Sequence, residues 1–261
     1  MNYEVEQNSY GLETIHKSLL KALIEFDKIC RNNDVSYALY GGTMLGAERN
    51  KKFIPWDDDA DICMTRNQYE KLYNVISNNN SKCYIDTSKL WVPRFIFKDE
   101  DGVVFVDIFI WDYISEVKWQ RICKIQGLRF LQGMMKTNVD YQRYGWKYKV
   151  VLFVSAWIGK LFSQKSKAKF YENVSKNWFL GRKEYIHCAN EMFKGVAFVF
   201  DKDYMEDYID VEFEEKIFMS NRRFREILIK YYGEDYMTPP PIEERRPAHQ
   251  GQISRLNGEM E

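Results

Sequence analysis

Four aspartates lie within five residues of this chain, in the run WDDDADI at positions 56–62. Carboxylates at that spacing repel one another, so a fold keeps them together only where a cation balances their charge. The alternation predicts a short strand that carries Asp59 and Asp61 on one face and Ala60 and Ile62 on the other. Paired carboxylates of this kind bind Mg²⁺ at phosphoryl-transfer sites. The run therefore predicts a metal site for Mg²⁺, with Mn²⁺ as the alternative ion.

Two other interpretations of the acidic run are a solvated turn and a calcium-binding loop. Pro55 and Trp56 before the run and the strand pattern after it argue against a solvated turn. A calcium loop that began at Asp57 would need glycine at its sixth position and glutamate at its twelfth. The chain has Ile62 and Gln68 there, so the calcium loop is excluded.

A glycine pair precedes the acidic run and follows a predicted strand at 35–40. Glycines at a strand-to-helix turn let backbone amides approach a phosphate, and the helix dipole favours the anion. Gly41 and Gly42 are therefore predicted to bind a phosphate, while Thr43 either caps the helix or donates its hydroxyl to a phosphate oxygen. Arg49 would bind a phosphate or form a surface ion pair.

A third carboxylate interrupts the apolar run VVFVDIFI at 103–110. A charged residue in such a strand is usually paired or bound to metal, because burial of an isolated charge is costly. Asp107 is therefore predicted to join Asp59 and Asp61. Asp112, after the run, is predicted to lie at a strand end or in a turn.

Four segments carry a resemblance to a known family. They are YGGTMLG at 40–46, FIPWDDDADI at 53–62, VDIF at 106–109, and YGEDYM at 232–237 with a proline triplet after it. Together they closely resemble the LicD/fukutin family. The resemblance covers most of residues 12–115 and 185–250.

The resemblance implies a nucleotidyltransferase-like core and the transfer of a phospho-alcohol from a CDP-activated donor to a hydroxyl group of a glycan. Phosphocholine is the expected group, CDP-choline the expected donor, and CMP the leaving group. Expected acceptors are teichoic acid, lipopolysaccharide or capsule sugars, including lipid-linked forms. The family more often has a small or apolar residue where this chain has Glu48.

The combined interpretation assigns a role to each candidate site residue. Asp59, Asp61 and Asp107 are predicted to hold the metal and to be catalytic, and Asp107 also to accept the proton of the acceptor hydroxyl. The predicted substrate-binding residues are Gly41, Gly42, Thr43, Arg49, Asp57, Asp58, Arg245, Arg246 and His249. For Arg245, Arg246 and His249, the alternative is that they lie in a solvated tail.

Three other functions remain open. A nucleotidyltransferase would use the same site and release pyrophosphate. A metal-dependent glycosyltransferase would also use an Asp-x-Asp pair, but it would need neither the glycine turn nor a third carboxylate. A non-catalytic binding protein would bind metal without releasing CMP from any CDP-alcohol.

The predicted fold is mixed α/β (α+β), with a nucleotidyltransferase-like core sheet, a helical insertion and a helical C-terminal cap. These parts are assigned to residues 1–115, 116–183 and 184–261 respectively, with the cap completing the active site. Helices are predicted at 12–32, from Thr43, at 66–78, through most of 116–180 and at 219–232; strands are predicted at 35–40, 59–64, within 82–98 and at 103–110.

The middle of the chain is strongly basic, although the net charge of the whole chain is zero. Residues 117–183 hold 15 Lys or Arg against 2 Asp or Glu, which is +13. Their apolar run at 150–162 is too short to span a membrane. It predicts either a helix at the surface of an anionic membrane or a buried helix with lysines at its edge; the flanking lysines are Lys147, Lys149, Lys165, Lys167 and Lys169. The acidic flanks argue against nucleic acid as a partner.

The amino terminus has no basic patch followed by an apolar segment, so no secretory signal is expected. Five scattered cysteines predict reduced thiols, and three scattered histidines indicate no zinc site. The expected location is the cytoplasm, with peripheral contact at the inner face of the membrane.

Overall fold

The fold of the computed structural model is mixed α/β, as predicted. The structure describes residues 10–79, 82–87, 91–99, 102–136 and 146–247. Helices in this part of the chain are α1 Glu13–Asn32, α2 Gly41–Asn50, α3 Arg66–Asn79, α4 Lys118–Met135, α5 Trp146–Gly159, α6 Gln164–Asn177 and α7 Phe224–Tyr232. Strands are β1 Ala38–Leu39, β2 Asp61–Thr65, β3 Cys83–Asp86, β4 Arg94–Asp99, β5 Gly102–Ile114, β6 Tyr185–Cys188, β7 Val199–Asp201, β8 Tyr208–Phe213 and β9 Lys216–Asn221.

The chain divides into two compact units. The first comprises Met1–Asp86, Arg94–Phe109 and Asp203–Glu261, and the second comprises Thr87–Pro93 and Ile110–Lys202. The division predicted at 115/116 and 183/184 is not tested by this partition and stays a prediction. Among the described helices, none is both long enough and apolar enough to cross a membrane.

The first unit is built on a sheet with the strand order β1-β2-β5-β4-β3. Helix α1 covers this sheet, as its apolar spacing predicted, because its apolar face is buried there. The Phe26 ring of α1 contacts the rings of Tyr37 and Phe95, with both centroid distances at 5.1 Å. The β8–β9 hairpin belongs to the same unit, and Phe213 packs on Phe53 at 4.7 Å, just before the acidic run.

The second unit combines the end of β5 with strands β6 and β7 and with helices α4, α5 and α6. The pairs β5–β6 and β6–β7 are antiparallel. Leu128 and Leu131 of α4 form a buried cluster with Tyr171 and Val174 of α6. The prediction that most of 116–180 is helical agrees with these three helices.

The prediction of a helix at 219–232 was wrong about its first turn, because the helix begins at Phe224. Met219–Asn221 lie in β9, where cross-strand pairing with β8 outweighs the local helical pattern. The side-chain oxygen of Asn221 accepts a hydrogen bond from the backbone N–H of Arg223 at 2.7 Å, which closes the turn before α7. The helix ends at Gly233 with φ +97°, as predicted.

Several boundaries also differ from the prediction. The strand expected at 35–40 is limited to Ala38–Leu39, and the strand expected at 59–64 begins at Asp61. Helix α2 begins at Gly41 rather than at Thr43. Asp112 does not end its strand; it lies buried within β5 and accepts a hydrogen bond from the Ser175 hydroxyl at 2.6 Å.

Candidate active site

Three carboxylates from two segments of the first unit meet in one cluster. Asp59 lies just before β2, Asp61 is its first residue, and Asp107 lies in β5. The backbone N–H of Asp107 donates to the carbonyl of Ala60 at 2.9 Å, which places the two segments side by side. As a result, one carboxylate oxygen from each aspartate lies within 4.8 Å of the others. Asp59 is buried and the other two are half-buried.

An arginine that the sequence did not identify contacts this cluster. Arg94 of β4 is directly opposite Asp107 in the β4–β5 pair. Its Nε donates to Asp107 Oδ1 at 2.8 Å, and its guanidinium lies 3.9 Å from the centre of the Phe105 ring. The DEDG stretch at 99–102 contained the signal, because Asp99 pairs with Gly102 and the same hairpin register places residue 94 opposite residue 107.

The donor set of the cluster fits a hard divalent cation. Three carboxylates and one guanidinium leave a formal charge of −2 among these four side chains. Two oxygen ligands on opposite sides of Mg²⁺ or a similar ion lie about 4–5 Å apart, and the three oxygens here all lie within 4.8 Å of one another, so one ion could contact all of them. The residues Asp59, Asp61 and Asp107 would therefore hold such an ion, and their assignment as metal ligands stays a prediction.

The glycine pair lies at the N-terminus of α2, directly against the acidic residues. A Cβ atom on Gly41 would clash with the carboxylate of Asp61, and one on Gly42 would clash with that of Asp57. Gly41 also has φ +51°, which side chains rarely tolerate. The first turn of a helix has N–H groups without helical acceptors, so these amides lie beside the cluster where a phosphate would bind.

Thr43 does not cap α2, because the N-cap residue is Tyr40. The Thr43 hydroxyl is buried and accepts a hydrogen bond from the backbone N–H of Asp61 at 2.9 Å. This bond anchors the start of β2 to α2. A hydroxyl can accept one hydrogen bond and donate another, so the predicted donation to a phosphate is compatible with this contact.

His16 of α1 fixes the start of the acidic run, although its position in the sequence gave no indication of this. Its Nε2–H donates to the carbonyl of Asp57 at 2.7 Å, and its ring stacks on Phe53 at 4.7 Å. Burial lowers the pKa of His16, so the neutral ring is favoured.

Asp58 is fully buried, and this burial gives no support to its predicted contact with the substrate, which stays a prediction.

The predicted basic residues lie in different settings. Arg49 donates from Nε to the carbonyl of Tyr236 at 2.7 Å and from Nη2 to that of Thr238 at 3.2 Å. Arg245 lies over the Trp56 ring, 5.0 Å from its centre, and thus beside the acidic run. Arg246 is exposed.

His249 lies outside the described residues. Glu48, where the resemblance leads one to expect a small or apolar residue, pairs with Arg225 of α7 at 2.7 Å.

The hydrogen bonds from Arg49 to the carbonyls of Tyr236 and Thr238 do not test its predicted binding of phosphate. That role stays a prediction, as do the roles of the other basic residues.

Comparison with known proteins agrees with the family resemblance. The family model described as "LicD/FKTN/FKRP, nucleotidyltransferase domain" matches residues 34–220. The chain is also similar to the lipopolysaccharide cholinephosphotransferase LicD of Haemophilus influenzae. The two are 29% identical over 252 residues, which is 88% of this chain and 92% of that protein.

Proposed function

Because the chain belongs to the LicD/FKTN/FKRP family, we propose that it transfers phosphocholine from CDP-choline to a hydroxyl group of a cell-surface glycan, such as teichoic acid or capsule. Membership of this family and the similarity to a cholinephosphotransferase make it a transferase of phosphate-containing groups. The donor, the acceptor and a requirement for Mg²⁺ are the parts that we propose.

The convergence of three carboxylates beside a helix N-terminus carries the proposal. A CDP-alcohol has a diphosphate that needs both positive charge and hydrogen-bond donors. Asp59, Asp61 and Asp107 would hold Mg²⁺, which when bound supplies positive charge to phosphate oxygens and to the leaving group. The amides of Gly41 and Gly42 would donate to the same diphosphate.

The chain's own residues would hold the reacting groups in place. Arg94 keeps the Asp107 carboxylate in one orientation through its 2.8 Å hydrogen bond. Thr43 and His16 hold the two ends of the acidic run through the backbone of Asp61 and Asp57. Such fixed positions reduce the reorganisation needed when the substrates bind.

The proposed reaction forms one bond to phosphorus and breaks another. The acceptor hydroxyl oxygen attacks the phosphorus that carries choline, the bond from this phosphorus to the oxygen of CMP breaks, and CMP leaves with the electron pair. The proton of the hydroxyl passes to the carboxylate of Asp107, which lies in the cluster and is half-buried. The glycan product then contains a phosphodiester to choline.

A nucleotidyltransferase is the second candidate, because the matching family model is described as a nucleotidyltransferase domain. The carboxylate cluster would suit both reactions, since in each of them a nucleophile attacks a phosphorus atom of a diphosphate or triphosphate. The products differ: one reaction releases CMP and the other releases pyrophosphate.

Product analysis separates the two candidates. The purified protein is incubated with Mg²⁺, a panel of CDP-alcohols and candidate glycans, and the products are identified by mass spectrometry and ³¹P NMR. We expect CMP and a glycan heavier by one phosphocholine, both abolished by EDTA. Pyrophosphate with a nucleotidylated product would replace the proposal with the second candidate, and metal binding without turnover of any CDP-alcohol would favour a binding protein.

The Asp59→Asn and Asp61→Asn variants test the metal site directly. Each removes one ligand charge, so we expect turnover to fall by about 10³-fold or more while the melting temperature is kept or rises. Binding of Mn²⁺, followed by electron paramagnetic resonance, should weaken in parallel. Asp201→Asn, at an exposed carboxylate of β7, is the matched control and should match the wild type. Wild-type turnover of either site variant at saturating Mg²⁺ would refute the assignment.

We also propose a cytoplasmic location. All five cysteines are free thiols and four of them are buried, which suits a reducing compartment.

A further inference from the structure

Helix α5 of the second unit is apolar on two opposite faces. Its inward face, which includes the small residues Ser155 and Gly159 and the buried Leu152, fits closely against α4. Any Cβ on Gly159 would clash with the backbone of Met134, and any Cβ on Gly133 would clash with the hydroxyl of Ser155. This close packing fixes the rotation of α5, so the opposite face must point away from α4.

The outward face of α5 exposes large apolar side chains to solvent. Phe153 and Trp157 are 62% and 61% exposed. Isolated exposed apolar residues are common, but a contiguous group on one helix marks an interaction site. We call this group, together with two apolar residues shortly after the end of the helix, the α5 apolar surface; its members are Val150, Val151, Phe153, Val154, Trp157, Leu161 and Phe162.

Positive charge borders the α5 apolar surface. Residues 146–171 contain six lysines and no aspartate or glutamate. Lys160 is adjacent to Leu161 in the chain and exposed, and Lys165 and Lys169 are exposed on the first two turns of α6.

Lys167 does not belong to this border, contrary to the sequence prediction. It is buried, and its ammonium group donates to the carbonyls of Met134 and Gly159, both at 3.1 Å. These carbonyls lie at the C-terminal ends of α4 and α5, where a positive charge is favourable. Lys167 therefore joins the three helices and is not available to a partner.

A cavity of about 400 Å³ lies next to the same segment, between α4 and α6. Phe162 and Phe170 line it together with Leu131 and Met134, and its walls are almost wholly apolar. Phe162 is also a member of the α5 apolar surface. The cavity and the surface thus offer apolar contact area on the same part of the unit.

We propose that the α5 apolar surface docks this protein on an anionic lipid bilayer. Apolar and aromatic side chains enter the interface between headgroups and acyl chains, while a lysine border is attracted to anionic headgroups. A second copy of the chain fits less well, because a symmetric contact through this surface would bring the same lysines together. The positive charge of these lysines therefore favours binding to an anionic bilayer over dimerisation.

Vesicle sedimentation of the full-length protein tests the proposal. We expect binding to vesicles of phosphatidylcholine with phosphatidylglycerol and little binding to phosphatidylcholine alone. The affinity should fall between about 0.01 M and 1 M salt, where the screening length shortens from roughly 30 Å to 3 Å. Equal binding to both vesicle types, or binding to neither, would overturn the proposal.

Two double variants test the two parts of the surface. Lys165→Gln with Lys169→Gln should lower the partition coefficient by roughly thirtyfold, since each lysine contributes about fivefold. Phe153→Gln with Trp157→Gln should lower it by about tenfold or more, because both side chains lose their apolar contact with lipid.

Matched controls come from the first unit. Lys98→Gln with Lys216→Gln removes two exposed lysines, and Tyr84→Gln removes an aromatic side chain that is 55% exposed. These variants should bind vesicles as the wild type does, and all variants should keep the wild-type melting temperature.

Two results would overturn the proposal even if the wild type bound vesicles. One is unchanged binding in both double variants of the docking surface. The other is a dimer detected by light scattering that Phe153→Gln with Trp157→Gln converts to a monomer, which would assign the surface to a second copy of the chain.

Discussion

Arg94 provides a sharp test of the carboxylate cluster, because its guanidinium is bonded to the carboxylate of Asp107. The change Arg94→Met keeps an unbranched stem over the Phe105 ring and removes the guanidinium. Three neighbouring carboxylates then lose this counter-charge, and Asp107 loses the donor that orients it.

The size of the effect follows from the geometry. A hydrogen bond to a charged group is worth about 1.5–3 kcal/mol, and a cation over an aromatic ring adds about 0.5–1 kcal/mol. Both charged side chains retain some exposure, 18% for Arg94 and 14% for Asp107, so solvent reduces the total. We expect a loss of about 2–3 kcal/mol in the free energy of unfolding, or roughly 4–12 °C in melting temperature.

The loss is measured by calorimetry in EDTA, so that no divalent ion replaces the missing charge. Turnover is measured separately at saturating Mg²⁺, where we expect a decrease of about 10- to 100-fold because Asp107 is no longer oriented. Arg94→Lys should recover part of the stability but little of the turnover, since an ammonium cannot reproduce the planar donor geometry.

Arg222→Met is the matched control, because Arg222 pairs with Asp207 where both side chains are more than half exposed. Such a pair contributes about 0–1 kcal/mol, so this variant should melt close to the wild type and keep full turnover. If Arg94→Met melted within a degree or so of Arg222→Met, or kept wild-type turnover, the argument that Arg94 supports the cluster would be wrong.

The other two predictions concern Asp107 itself and His187, a buried histidine of the second unit. Asp107→Asn keeps the size of the side chain but removes its charge, so at saturating Mg²⁺ we expect a large decrease in single-turnover rate. The dissociation constant of CDP-choline should change little, because the Gly41 and Gly42 amides would still bind the diphosphate; a destabilised but fully active variant would contradict the catalytic role. Burial, and then the nearby Lys124, lower the pKa of His187 to about 3. The unfolded chain, with a histidine pKa of about 6.5, takes up this proton first, so stability should fall as the pH drops from about 6.5 towards 3 by up to about 1.4 kcal/mol per pH unit. His187→Gln should flatten that slope in denaturant titrations, and an unchanged slope would show that other groups cause it.

Much of the candidate site could be predicted because its signals are local in the chain. The spacing of Asp59 and Asp61 and the lone charge within the apolar run around Asp107 do not depend on distant residues. Burial of an unpaired charge is costly, so a charge in an apolar run indicates by itself that a cation lies nearby. The structure brings these three residues together, and their role with a metal stays a prediction.

The supporting residues of the site could not be predicted with the same ease. His16 contacts Asp57 across 41 residues of sequence, through a backbone carbonyl that has no sequence signature. Arg94 opposes Asp107 only because β4 and β5 pair in one register. A shift of that register by one residue would turn the arginine to the other face of the sheet.

The sequence-based predictions for two segments, 150–162 and 219–232, fell short of the structure for the same physical reason. The sequence alone determined that 150–162 is apolar and bordered by lysines, and that 219–232 is mostly helix-forming. It left open which face of the first segment is exposed, and it assigned the start of the second wrongly. The close fit of Gly159 against Met134 decided the first, and pairing of β9 with β8 decided the second. Local patterns report the preferences of neighbouring residues, whereas packing and strand pairing add free energy that depends on residues distant in the chain.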